Sequence, residues 1–155
     1  LLHSIALDKN HLDVRDDSIL RPAIEYYLRK GTAEEQVKTL YYSARIYENS
    51  NEYEKALSTL TDAESRIDKD CSPGILVLLY SAKGSIYQQI LDYSKTAENY
   101  HSATRYSNLE SDIERYVSNT LREAHCLIMC SQTEKAASGF TKNPCHPETS
   151  TNIIS

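Results

Sequence analysis

The sequence predicts an all-α fold, a solenoid of three to four helical hairpins, on three observations. An internal repeat runs at a period of 40 residues; within each unit small and bulky residues recur at helical steps; and helix-start and helix-stop signals fall between the units. Composition agrees. The 155 residues are enough for one domain with a core, and 40% apolar with 25% charged residues is the balance of an ordered protein. With only four Gly and four Pro, many-turned β-architectures and glycine-loop nucleotide folds are disfavoured.

Written in rows of 40, the chain shows its columns. NEYEKALSTL at 51–60, LDYSKTAENY at 91–100 and SQTEKAASGF at 131–140 align, so that Lys55, Lys95 and Lys135 share one column, Ala56, Thr96 and Ala136 the next, and Leu60, Tyr100 and Phe140 a third. Upstream, Val37, Val77 and Val117 align, then Ala44, Gly84 and Ala124, then Tyr47, Tyr87 and Leu127. Ala63 and Ala103 match downstream, and stepping back 40 reaches Ala23, Leu20, Leu7 and Ser4. Steps of three and four put each set on one helix face. Small residues let two helix backbones approach, and the large ones fill the space beside them. One hairpin cannot bury such a face alone, so neighbours must stack.

The elements follow in order. Helices are expected near 1–9, 17–30, 33–49, 52–68, 73–90, 93–107, 111–130 and 132–142. Thr32 and Glu35 form a capping box, and Ser111 with Glu114 and Ser131 with Glu134 repeat that spacing. Ser72 is an N-cap residue ahead of Pro73, and Gly31 follows Arg29 and Lys30 as a helix stop. Pro22 is awkward inside 17–30 and marks a later start or a kink. The chain divides into a degenerate hairpin at 1–31, three repeats at 32–142 and an irregular tail at 143–155.

These residues resemble the tetratricopeptide repeat (TPR) family. The pattern small–x2–aromatic, then small–x3–bulky–x2–small, stands as Ala44, Tyr47, Ala56, Leu60, Ala63 and as Gly84, Tyr87, Thr96, Tyr100, Ala103, with Ala124, Leu127, Ala136 and Phe140 as a weaker third copy. The period exceeds the usual 34 by six residues, and Asn143 and Pro144 break the third unit at its end. The resemblance implies a right-handed solenoid that binds a protein or peptide without chemistry. Residues 16–58 further resemble the TPR region of a bacterial regulator family, in which such an array often precedes a membrane helix and a DNA-binding or signalling module. That implies, as the alternative function, a ligand-sensing part of a larger signalling or transcriptional regulator.

In TPR proteins the first helix of each hairpin lines the inner groove. Carried over by column, the contacts are Lys38, Tyr41, Arg45, Glu48 and Asn49; then Leu78, Ser81, Ser85, Gln88 and Gln89; then Ser118, Leu121, His125, Ile128 and Met129. The set is charged at one end, amide and hydroxyl in the middle, apolar at the other, which suits an extended segment with an acidic or polar head and an apolar tail. It equally suits a solvated helix face. A clamp for C-terminal carboxylates is disfavoured, because Lys38 and Arg45 lie in one hairpin and Ser81 and Ser85 stand in the next. Of the twelve Tyr, residues 47, 53, 87, 93 and 100 sit at packing columns, whereas Tyr41 and Tyr42 are free to face a partner.

Other chemistries find little footing. A net charge of −5 argues against nucleic acid or an anionic membrane. The longest apolar run, Ile75 to Tyr80, is far too short to span a bilayer. Cys126 and Cys130 share a helix face near His125, Cys145 and His146, but without the tight spacing of a zinc site they read as buried thiols, and no metal or cofactor is expected. No hydrolase, nucleotide-loop or zinc-protease signature occurs. Leu1 opens the chain and the only Met is Met129, which reads as a fragment whose compartment stays open. Leu121, Ile128, Met129 and Phe140 are expected near an uncapped end, to be covered by a homodimer or a further domain.

Overall fold

The computed structural model describes residues 18, 20–107 and 112–141, with backbone only for 135–141. The helix expected at 1–9, Ser111 and the tail 143–155 lie outside the described residues. Among those described the chain is all-helical, with six helices and no strand: α1 Arg21–Lys30, α2 Ala33–Asn49, α3 Tyr53–Ser65, α4 Pro73–Gln89, α5 Tyr93–Tyr106 and α6 Ile113–Thr141.

Local chemistry sets the ends. Helix α1 starts at Arg21 rather than 17, with Pro22 in its first turn, where a missing N–H costs nothing. Gly31 ends it in extended backbone; a Cβ there would stand 2.7 Å from the Tyr27 carbonyl oxygen. The Thr32 capping box forms as expected, the Thr32 N–H donating to Glu35 at 2.8 Å and the Glu35 N–H to Thr32 Oγ1 at 3.3 Å. Ser72 sits at the N-cap of α4 but does not cap it. Its N–H and hydroxyl instead donate to the Glu34 carboxylate, at 3.1 and 3.0 Å, tying the start of α4 to the start of α2.

The connections α2–α3 and α4–α5 are copies of one another. Asn51 and Leu91, one period apart, both have φ near +60°. The next N–H in each closes on the aromatic four before the turn residue, Glu52 to Tyr47 at 2.8 Å and Asp92 to Tyr87 at 2.9 Å. Each aromatic then meets the repeat lysine, Lys55 over Tyr47 at 5.9 Å and Lys95 over Tyr87 at 5.2 Å.

The third connection does not form. Helices expected at 111–130 and 132–142 are one helix of 29 residues. Ser131 and Glu134 do not cap a helix start; they are exposed side chains in its interior. Nothing at 131 forces a turn: Ser tolerates a helix, and no Gly or Pro stands between 113 and 138.

The core runs through α1 to α6 by way of neighbouring contacts, α2 on α3, α4 on α5 and α5 on α6 most extensively, with α4 also against α2 and α3. Val37, Ala56, Leu60, Ala63 and Ala103 of the packing columns are wholly buried, as are Leu79 and Ile86 outside them, whereas the column tyrosines 47, 53, 87 and 93 are half-buried. The columns fail in α6. Val117, Leu121, Leu127 and Ile128 are 45–65% exposed, whereas Asn119 and Cys126 are buried against the body. The Tyr41 and Tyr42 expectation is also corrected: both are buried, ring on ring edge-to-face at 4.9 Å. No described helix is long and apolar enough to cross a membrane.

Candidate functional site

A groove of about 270 Å³ runs across α2, α4 and α6. Helix α2 contributes Tyr41 and Arg45, helix α4 contributes Leu78, Ser81, Ala82 and Ser85, and Tyr100 of α5 closes the floor. The wall from α6 is Arg115, Ser118, Asn119 and Arg122, one helical face at steps of three and four.

Tyr41, Arg45, Ser81 and Ser85 are therefore brought together as the sequence predicts, and Leu78 and Ser118 with them. Lys38 lies beyond the groove and pairs with Glu34 at 3.4 Å. Asn49 and Gln89 stand at the helix ends, outside the lining. Gln88 reaches only the rim, where it accepts from Arg122 at 3.4 Å. Leu121 and His125 are exposed and do not line the groove. The reason is stagger. Ser81 donates to Asn119 at 3.2 Å and Ser85 to Glu48 at 3.0 Å, so partners across the groove are 38 and 37 residues apart, not 40. On α6 the lining falls two to three residues before the positions carried over by the full period, and Asn119 and Arg122 take the places assigned to Leu121 and His125. The sequence offered a signal for them: two arginines seven apart with an amide between, on one face.

Charge is uneven in the groove. Its lining holds three arginines and no carboxylate, in a chain of net charge −5. Arg45 is held by Glu48 at 2.5 Å and Arg115 by Asp112 at 2.9 Å. Arg122 instead bonds to neutral groups, Gln88 and the Tyr100 hydroxyl, the latter at 3.2 Å, and lies 5.7 Å from the Tyr100 ring centre. Burial pushes the Tyr100 phenol up, and Arg122 offsets part of the rise, so the hydroxyl stays protonated at neutral pH. Asn119 is 4% exposed, and its Nδ2 is a buried donor without a partner among the described residues. Exchanging the two ends of the amide would only move the vacancy to oxygen.

A larger cleft of about 430 Å³ lies between the N-terminus of α4 and the start of α6, lined by Pro73, Gly74, Val77, Tyr106, Asp112 and Arg115. Its charges, Asp112 and Arg115, already neutralise one another. Cys126 is buried and Cys130 half-buried, and burial pushes the Cys126 thiol up, away from thiolate chemistry. No group of three or more His, Cys, Asp or Glu among the described residues could hold a metal ion. No family model matches the chain, and neither a curated protein nor a solved structure matches it.

Proposed function

We propose that this chain is a non-catalytic binding module, a TPR-type array whose groove across α2, α4 and α6 holds an extended acidic segment of a protein partner. The observation that carries this reading is in the groove's lining: Arg122, bonded to the neutral Gln88 and Tyr100 where Arg45 and Arg115 each have a carboxylate, stands beside hydroxyls and the unpartnered Nδ2 of Asn119. An acidic peptide supplies what those groups lack. Carboxylates meet the guanidinium of Arg122, and a backbone carbonyl accepts from Asn119. Tyr41 and Tyr100, both buried, form the floor beneath these groups. In a regulator of the kind that residues 16–58 resemble, occupancy of the groove is the signal an attached module would read.

The test compares the native chain with an Arg115→Glu, Arg122→Glu variant in a pull-down from source-cell lysate, followed by titration with synthetic peptides from the retained partner. The native chain is expected to hold an acidic segment, more weakly as salt rises, and the variant is expected to lose at least tenfold in affinity. Equal retention by both, or a partner segment indifferent to Glu→Gln replacement, rules the groove out.

A further inference from the structure

We propose that two copies of this chain pair by exchange, residues 132–141 of each covering the bare apolar face of the other's α6. The face is one stripe at helical spacing, Val117, Leu121, Ala124 and Ile128, with Leu127 at its edge. All five are exposed. In the two preceding repeats the same columns are not bare. Val37 and Val77 are 0% and 4% exposed, and Ala44 and Gly84 are buried, because α3 and α5 lie across them. The fit is specific: a Cβ on Gly84 would stand 3.1 Å from the ring of Tyr100. The stripe in α6 is also the most apolar of the three, since Leu121 and Ile128 stand where α2 has Tyr41 and Glu48 and α4 has Ser81 and Gln88.

The segment that belongs on this face is present in the sequence. Residues 131–140 carry the covering-helix columns: Lys135 with Lys55 and Lys95, Ala136 with Ala56 and Thr96, Phe140 with Leu60 and Tyr100. Ala56, Thr96, Leu60 and Tyr100 are all at most 2% exposed on their own partners. Yet the chain does not turn at 131. Asn51 and Leu91 reverse direction there with φ near +60°, whereas Ser131 is helical and Thr133 Oγ1 donates to the Met129 carbonyl at 2.9 Å, continuing the same helix. Residues 131–134 are exposed on every side. A segment patterned to cover a face, held straight and away from its own, can cover the same face of a second copy. The exchange completes two third repeats at once and is reciprocal, as a two-fold pair requires.

Light scattering on the full chain tests the pairing. The expected mass is twice 17.6 kDa, falling to the single-chain value in a Leu121→Glu, Leu127→Glu variant. Both substituted residues are exposed, and helicity by circular dichroism checks that the variant remains folded. Exchange itself is read by disulfide capture after the native cysteines are replaced by Ser. Ala124→Cys chains mixed with Phe140→Cys chains are expected to join into covalent dimers. A native chain that is a single copy at all concentrations overturns the proposal. So does a doubly substituted Ala124→Cys, Phe140→Cys chain that closes within itself, because the segment then folds back. A dimer unaffected by the Glu substitutions places the contact elsewhere and overturns it equally.

Discussion

Gly84 of α4 lies against the ring of Tyr100 on α5, so closely that an added Cβ would meet three ring atoms at 3.1–3.2 Å. The ring cannot easily give: Tyr100 is 2% exposed and its hydroxyl is held by Arg122. The same column accepts Ala44 in α2, where the facing residue is Leu60. Gly84→Ala should therefore cost about 1 kcal/mol, overpacking of about 2 kcal/mol being partly offset by the helix propensity of Ala. In a Tyr100→Leu background the same substitution should be neutral or stabilising. Urea midpoints of the four chains check this, and equal effects of Ala in both backgrounds would refute the contact.

Glu34 bridges two helices through Ser72. Burial pushes its carboxyl up, but the N–H and hydroxyl of Ser72, with Lys38, outweigh that and bring it below the ordinary value of 4.5. A carboxyl with a depressed folded-state pKa stabilises the fold above its unfolded pKa and loses that contribution as pH falls through the folded one. Glu34→Gln should thus cost about 1 kcal/mol at pH 7 and little near pH 3. Denaturation at the two pH values measures the difference; a cost independent of pH would mean the charge is not what Ser72 recognises.

Glu64 of α3 collects two groups from α4. It accepts from Lys83 Nζ at 2.5 Å and from the Tyr80 hydroxyl at 3.0 Å, and Tyr80 stacks on Tyr106 at 5.8 Å. Burial and then the bond to Glu64 push the Tyr80 phenol up to about 12. The Lys83 side chain is only 11% exposed, so Glu64→Ala would strand a nearly buried ammonium. A loss of about 2 kcal/mol is expected, less than for a fully buried pair because Glu64 is partly solvated. The double change Glu64→Leu, Lys83→Met should recover most of it, which thermal midpoints would show. No recovery would argue that packing, not charge, links the helices.

Asn119 bears an unsatisfied buried amide in the groove, a feature that costs stability on the order of 1–3 kcal/mol. Asn119→Leu, of similar volume, should raise stability by about 1 kcal/mol while weakening the groove's peptide at least tenfold. Chemical denaturation and peptide titration on the same preparation read both effects. A variant that loses stability, or binds as well as the native chain, removes Asn119 from the site.

Much of this was legible in the columns. The steps of three and four at Val37, Ala44, Ala56 and Leu60 place small and bulky residues on one face, and water exclusion then requires those faces to be buried. Helices α2 to α5 begin and end within a few residues of where the periodicity and the caps put them. Tyr41, Arg45, Ser81 and Ser85 meet in the groove for the same local reason: they share the helix face that the packing columns leave free.

The tertiary structure decided what periodicity cannot express. A repeat fixes which face of a helix is apolar, but not how far one helix slides along the next. That stagger brings Asn119 opposite Ser81 and Arg122 to Gln88, and leaves Leu121 and His125 outside. Ser72 is an N-cap by its neighbours in sequence, yet Glu34, 38 residues away, is the better acceptor for its N–H and hydroxyl together. The turn at 131 is signalled by the repeat, but a helix continues wherever its backbone bonds are as good as those of a reversal, and nothing between 128 and 134 penalises continuing. Local sequence determines each helix and its apolar face; long-range contacts determine which faces meet, and which one stays bare.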